Sequence, residues 1–169
     1  MNAEFTYIPV SGQFDERQFD LSTVWRSAEW CWVRFSVDNA NDWYGSFRGT
    51  PKYIAVANQL GLVGVLTSDC LYIINPVTKD VVFSDPQTTV QELTSDSLGS
   101  KFILADWTTL QYIDSGLAIK DAPSDIDCDN IKFGQVDNNK LELEFEEIPD
   151  YQIKKGLLDL QTWKLEYVE

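Results

Sequence analysis

Hydrophobic residues along this chain alternate with polar ones in short runs that turn residues separate. Alternation with a period of two is typical of β-strands. The predicted strands are Trp30–Phe35, Tyr53–Ala57, Leu62–Leu66, Leu71–Ile74, Val81–Phe83, Phe102–Ala105, Leu110–Ile113, Leu117–Ile119, Ile131–Val136 and Lys140–Glu146. Helix is predicted only as two turns at Ser22–Glu29 and one turn at Thr88–Leu93. We therefore predict an all-β fold with few short helices, built from antiparallel meander sheets.

The clearest predicted hairpin joins the last two of these strands. Asp137-Asn138-Asn139 separates its arms, and asparagine tolerates the positive φ of tight hairpin turns. In the second arm, apolar and acidic side chains alternate strictly, as Leu141, Glu142, Leu143, Glu144, Phe145 and Glu146. This pattern is typical of a half-buried antiparallel strand with its acidic face in water.

Two kinds of internal repeat occur in the sequence. Gly61–Asn75 and Ser100–Asp114 share the order strand, polar turn, strand and terminal Asn or Asp. A shorter pattern of Asp or Asn, then Leu or Pro, any residue and Thr occurs at Asn75–Thr78, at Asp159–Thr162 and more weakly at Asp20–Thr23. Such a pattern favours an Asx-type turn that closes a strand.

These segments resemble the blades of β-propellers of the WD40 or quinoprotein-like kind. Thr94–Leu104 is similar to their S-P-D-G-K-x-L opening motif, and Tyr112-Ile113-Asp114 stands where their terminal V-W-D occurs. The resemblance covers residues 53–114 and, less closely, 131–166, and it implies blade-like four-stranded sheets. Because a blade takes roughly 40–50 residues, the chain is too short for a full propeller. A β-sandwich or an unrelated meander is the alternative architecture.

The charge of the chain is concentrated toward one end. Its 169 residues include 13 basic and 27 acidic side chains, for a formal net charge of −14. Residues 121–169 hold 13 of the acids and 5 of the bases, whereas all four arginines precede residue 50. We predict a single domain, 1–169, with an aromatic and arginine-rich subdomain at 1–50 and a blade-like region at 51–169.

The composition excludes several kinds of chemistry. The chain contains no histidine, which excludes Ser-His-Asp and Cys-His nucleophiles and histidine-ligated zinc. The acidic excess disfavours nucleic acid and anionic membranes and favours a basic protein partner. With no catalytic motif visible, whether the chain is an enzyme stays uncertain, and we lean against it. We predict no cofactor.

The cysteines and the N-terminal residues indicate the cellular compartment in which the protein is expected to function. Cys31, Cys70 and Cys128 are odd in number and widely spaced, which predicts buried, reduced thiols in a reducing compartment. Residues 1–5 lack the basic and apolar pattern of a signal peptide. We therefore expect a cytoplasmic protein.

The first candidate site is an aromatic and arginine-rich cluster in the first third of the chain. Strand alternation places Trp30, Trp32 and Arg34 on one face, opposite Cys31, Val33 and Phe35. The cluster comprises Trp25, Trp30, Trp32, Arg34, Trp43, Tyr44, Phe47 and Arg48. Trp, Tyr and Arg dominate the hot spots of protein interfaces, and tryptophans also stack on sugars. Alternatively, these tryptophans fill the core with arginines stacked on their rings.

A weak metal candidate is formed by Asp125, Asp127 and Asp129. They stand at positions 1, 3 and 5 of a calcium loop. Asn130 occupies the position of the required glycine, and Val136 that of the bidentate glutamate. We therefore predict no metal and interpret the segment as an edge strand with a charged face.

We hypothesise a non-catalytic protein-interaction domain that binds a basic partner, with Glu142, Glu144 and Glu146 as its acidic surface. Toxin-neutralising immunity proteins offer a compositional analogy. The alternative hypothesis is a domain that binds or hydrolyses a small carbohydrate-like ligand through Trp43, Tyr44 and Arg48. Nothing in the sequence predicts the oligomeric state.

Overall fold

A computed structural model describes residues 1–24, 26–38, 40–86, 88–124 and 126–168. These residues form sixteen strands and no helix, which confirms the all-β prediction. The strands are β1 (Asn2–Thr6), β2 (Asp15–Phe19), β3 (Trp30–Ser36), β4 (Trp43–Arg48), β5 (Pro51–Ala57), β6 (Leu62–Thr67), β7 (Leu71–Asn75), β8 (Asp80–Asp85), β9 (Glu92–Ser95), β10 (Phe102–Ala105), β11 (Leu110–Ile113), β12 (Ile119–Asp121), β13 (Cys128–Asp137), β14 (Lys140–Glu147), β15 (Gln152–Asp159) and β16 (Leu165–Val168).

The strands form four sheets of four strands each. The second sheet (β5–β8), the third (β9–β12) and the fourth (β13–β16) are antiparallel meanders in chain order. A four-stranded meander is the sheet that the propeller resemblance implies, so these sheets fit a blade-like arrangement.

The first sheet departs from the meander pattern. Its strand order is β1-β3-β4-β2, and β2 runs parallel to β4 from Asp15 opposite Trp43 to Phe19 opposite Phe47. Because β1 and β2 lie at opposite edges, residues 7–14 must cross from one edge of the sheet to the other.

The chain divides into two compact units, Met1–Thr88 and Thr89–Glu169. The first unit contains the first and second sheets, and the second unit contains the third and fourth. The boundary predicted near residue 50 falls inside the first unit, between its two sheets. The assignment of 1–169 as one domain stays a prediction.

In the first unit, the core lies between its two sheets. Strand β3 buries Cys31, Val33 and Phe35 and leaves Trp30, Trp32 and Arg34 half-buried on its other face, as the alternation predicted. The buried residues of this core are Phe19, Cys31, Val33, Phe35, Trp43 and Phe47 from the first sheet, with Val63, Val65, Cys70, Tyr72 and Ile74 from the second.

In the second unit, the third and fourth sheets share a core. Strand β14 contributes Leu141, Leu143 and Phe145, the three residues that the alternation assigned to the buried face. The core also contains Ile103, Ala105, Leu110, Cys128, Ile131, Leu158, Leu160 and Trp163. At its hairpin, Asn138 and Asn139 have φ values of 47° and 63°, as the turn prediction required.

The predicted helical turns at Ser22–Glu29 and Thr88–Leu93 are wrong in the part of the chain that the structure describes. The backbone of the first segment is bound to other segments, because Ser27 N–H donates to Asp69 and Ser27 O accepts from Arg48. Glu92 and Leu93 belong to β9 and pair with β10. Trp25 lies outside the described residues.

The short repeat proves to be one turn used twice. After β7, Asn75 Oδ1 accepts the N–H groups of Val77 (3.0 Å) and Thr78 (3.2 Å), and Lys79 N–H returns to Asn75 O. After β15, the Asp159 carboxylate accepts the N–H groups of Gln161 (2.9 Å) and Thr162 (2.7 Å), and Trp163 N–H returns to Asp159 O. Lys79 and Trp163 both have positive φ, at 65° and 59°.

These two turns occupy equivalent places, between the third and fourth strands of their sheets. The weaker match at Asp20 does not form this turn, since its carboxylate instead binds Arg48 and Arg26. A second equivalence joins the first two strands of the second and third sheets. There, Gly61 and Gly99 have φ of 68° and 67° and donate to Asn58 O and Asp96 O.

Candidate functional site

The outer face of the fourth sheet carries the predicted acidic surface. Glu142, Glu144 and Glu146 alternate with the buried residues of β14 and point away from the core. Cross-strand pairing places side chains from the neighbouring strands on the same face. We call this surface the glutamate face; it comprises Lys132, Glu142, Glu144, Glu146, Ile153, Lys155, Leu157, Glu166 and Val168.

The glutamate face is only partly neutralised by its own lysines. Lys155 Nζ lies 3.3 Å from the Glu144 carboxylate, and Lys140 Nζ lies 2.7 Å from Glu166. Among the described residues, no basic side chain lies within 4.0 Å of the carboxylates of Glu142 or Glu146. Glu142 accepts the backbone N–H of Gln135 at 3.3 Å. The alternation did not define the register of β15 against β14, so the ion pair between Lys155 and Glu144 was not predicted.

Apolar side chains lie among these charges. Ile153 is 67% exposed beside Glu146, and Val168 is 51% exposed beside Lys155. An open groove of about 610 Å³ runs across the face and is lined by Lys132, Phe133, Gly134, Glu142, Leu143, Glu144, Lys155, Gly156, Leu157 and Val168. A Cβ at Gly134 would lie 2.7 Å from the Cβ of Glu142, so any larger residue would crowd this part of the groove.

The aromatic and arginine-rich cluster is split between core and surface. The Trp43 ring is 1% exposed, stacks on Phe35 at 4.1 Å and donates from Nε1 to Pro76 O at 2.9 Å. Tyr44 is also buried, with its ring 4.7 Å from that of Phe14. Trp43 is therefore a core residue rather than a platform open to a ligand, which agrees with the alternative interpretation.

Arg48 and Arg34 are bound by acidic residues within the first unit. Arg48 donates to Asp20 and to Ser27 O, and its guanidinium lies 4.5 Å from the centre of the Trp30 ring. The hydrogen bond from Arg48 lowers the pKa of Asp20 to about 2. Arg34 donates to Asp42 and lowers the pKa of that carboxyl group.

The first unit contains a cleft that was not predicted from the sequence. It has a volume of about 580 Å³ and is lined by Gln13, Phe14, Asp15, Asn41, Asp42 and Lys79. These residues come from three separate segments with no shared motif. The pairing of β2 with β4, which the alternation did not indicate, joins two of these segments, and the turn between β7 and β8 adds Lys79.

The weak metal candidate has no supporting geometry in the described residues. Asp125 lies outside them. Asp127 is exposed, and Asp129 accepts the N–H of its neighbour Asn130 at 2.8 Å. Within the described ranges, no group of three potential metal ligands occurs. Those ranges also contain no helix that is long and apolar enough to cross a membrane.

No family model and no curated protein matches this chain. Among solved structures, the N-terminal domain of Nup159, a β-propeller, is similar with a TM-score of 0.51 and 10% sequence identity. The similar part covers 72% of this chain and 34% of that one. This chain therefore spans about a third of the length of the Nup159 chain that it matches.

Two further structures are less similar. An S. cerevisiae complex in which Dbp5 is bound to Nup159, Gle1, IP6 and ADP matches with a TM-score of 0.49 and 8% identity, over 91% of this chain and 43% of that one. A complex of the fission yeast SREBP–SCAP binding domains matches with a TM-score of 0.36 and 16% identity, over 72% and 36%. At these identities, the comparison with Nup159 concerns the fold alone and supports blade-like sheets.

Proposed function

We propose that this chain is a non-catalytic, cytoplasmic interaction domain that binds a basic protein through the glutamate face. The observation that carries the proposal is the outward-facing row of Glu142, Glu144 and Glu146, in which Glu142 is exposed and the other two are half-buried. Glu142 and Glu146 have no basic partner among the described residues. Their charges are therefore available to a partner that brings lysine or arginine.

The apolar part of the face has a different role in this proposal. Ile153 and Val168 stand in water in the isolated chain, and a partner that covers them removes apolar surface from water. Glutamates at the rim mainly accelerate association with a basic surface, whereas buried apolar contacts provide most of the affinity. Neutralisation of a basic toxin, as immunity proteins perform it, is one form that such binding takes.

The chemistry of the cysteines supports a non-catalytic role. Burial raises the pKa of the Cys31 and Cys70 thiols to about 12 and that of Cys128 to about 11. Because the thiolate is the nucleophile, thiols that stay protonated at neutral pH are inert. All three are free thiols, as expected of a protein from a reducing compartment.

The experiment compares two variants of equal net charge. Glu142→Lys, Glu144→Lys and Glu146→Lys together reverse the glutamate face. Glu16→Lys, Glu29→Lys and Asp80→Lys reverse three exposed acids elsewhere and change the net charge by the same amount. Tagged wild-type and variant proteins are used to capture partners from native lysate, and the dissociation constant of a captured protein is then measured in purified form.

The expected result is a basic protein that binds the wild type and the control variant alike. The glutamate-face variant should weaken binding by roughly tenfold or more, and added salt should weaken the wild-type complex. A partner bound equally well by both variants would place the interface elsewhere. Capture of no stoichiometric protein would count against the interaction role itself.

A further inference from the structure

The cleft in the first unit brings together three chain segments. Asp15 begins β2 and lies opposite Trp43, the first residue of β4, so the residues that precede both strands are neighbours. Lys79 reaches the same place from the turn between β7 and β8. A volume of about 580 Å³ lies within the range of small-molecule sites.

The charges in and around this cleft are balanced, unlike those of the chain as a whole. Asp15 forms an ion pair with Lys79, and Asp42 forms one with Arg34, whose Nε lies 2.8 Å from the carboxylate. Both carboxyl groups have a lowered pKa because of these partners. An anion would meet two carboxylates here, and a cation would compete with the two bases already bound.

Four of the six side chains that line the cleft, those of Phe14, Asp15, Asp42 and Lys79, have contacts within the chain before any ligand binds. The aromatic ring of Phe14, partly exposed, rests against Tyr44 at 4.7 Å. Lys79 lies at the positive-φ position of the Asn75 turn, and its ammonium group is 5.8 Å from the centre of the Trp43 ring. Groups that are already ordered lose little freedom on binding.

We propose that this cleft binds a neutral, polyhydroxylated small molecule of the carbohydrate class. Hydroxyl groups of such a ligand donate to Asp15 and Asp42. The Lys79 ammonium group donates to ligand oxygens, and the exposed amide side chains of Gln13 and Asn41 both donate and accept. The C–H face of a sugar ring packs on Phe14. This site lies on the first unit, and its occupancy does not depend on the protein partner proposed above.

The test measures binding of named sugars to the full chain by calorimetry, with the intrinsic tryptophan fluorescence of the chain as a second readout. The probes are glucose, galactose, mannose, N-acetylglucosamine and their common disaccharides. We expect saturable binding of at least one of them, with a dissociation constant on the order of 1 mM. Asp15→Ala and Phe14→Ala should each weaken it roughly tenfold, whereas Asp80→Ala, an exposed acid beside Lys79, should leave it unchanged.

Three results would overturn the proposal. One is the absence of saturable binding for every probe up to about 20 mM. Another is binding that survives both Asp15→Ala and Phe14→Ala in variants whose circular dichroism shows the native sheet content. The third is tighter binding of glucose 6-phosphate or glucosamine than of glucose, because a charge-balanced cleft has no preference for an ionic sugar. The glutamate-face variant should bind sugar as the wild type does, which separates this site from the protein interface.

Discussion

Arg48 joins Trp30 to Asp20: its guanidinium carbon lies 4.5 Å from the centre of the Trp30 ring, and its Nε lies 2.8 Å from Asp20 Oδ1. Nη2 donates to the second carboxylate oxygen at 2.9 Å, so the pair is bidentate. One side chain thereby ties the segment after β2 to the ends of β3 and β4. Trp30 and Arg48, which were predicted to bind a partner, therefore help to hold the first sheet together.

The Asp20 ion pair should make stability depend on pH in acid. Folding lowers the pKa of Asp20 from 3.8 to about 2, so the stabilisation is complete above pH 4 and disappears as pH falls toward 2. We expect Asp20→Asn to lower the free energy of unfolding by roughly 1–2 kcal/mol at pH 7. Urea unfolding of both proteins from pH 7 to pH 3 measures the difference. A difference that stays constant down to pH 3 would contradict this account, and Asp80→Asn serves as the exposed control.

The two equivalent turns should respond alike to mutation. Asn75→Ala and Asp159→Ala each remove a side-chain oxygen that accepts two backbone N–H groups. Each should cost about 1 kcal/mol of unfolding free energy. Asn75→Asp and Asp159→Asn preserve the acceptor and should cost much less, as thermal unfolding will show. Equal losses from the alanine and the acceptor-preserving variants would disprove the role of these oxygens.

Asn139→Gly should stabilise the protein. Asn139 has a φ of 63°, which glycine adopts without strain, and its Oδ1 is buried without a hydrogen-bond partner in the described part of the chain. Removing that oxygen should raise the free energy of unfolding by about 0.5–1 kcal/mol. Asn139→Ala is the matched control and should destabilise, since it removes the same oxygen but is strained at positive φ. A glycine variant no more stable than the alanine variant would refute the argument.

The three thiols should resist alkylation while the chain is folded. Their raised pKa values, about 12 for Cys31 and Cys70 and about 11 for Cys128, leave almost no thiolate at pH 8. We expect iodoacetamide to label none of the three at that pH within the time in which it labels all three in urea. Mass spectrometry gives the count. Rapid labelling of any one of them in the folded chain would identify a locally open region.

The sequence was informative where structure is local. Strict alternation located β14 and its buried face, and the Asn138-Asn139 turn followed from two adjacent residues. Strands in which apolar and polar residues do not alternate clearly were not predicted, such as the largely exposed β2 and the short β16. Leu117 was placed in a strand, but it has a φ of 50° and belongs to the turn before β12.

The candidate sites depended on pairings between distant segments. The glutamate row was visible in the sequence, but the lysine opposite Glu144 was not, because it depends on the register of β15 against β14. Trp43 and Arg48 looked like interface residues by type. Their partners, Pro76 and Asp20, lie far away in the sequence, and these partners decide that one is a core residue and the other an ion-pair residue.

The position of β2 sets the order in which the first unit can fold. In the second, third and fourth sheets, each strand pairs with the one that follows it, so every step closes a short loop. In the first sheet, β1 has no partner until β3 exists, and β2 has none until β4 exists. During synthesis, β1 therefore stays unpaired until the chain reaches Ser36, and β2 until it reaches Arg48. The slow step in the folding of this unit should be the parallel pairing of β2 with β4. Non-local pairing loses the entropy of loop closure before the stabilising contacts form.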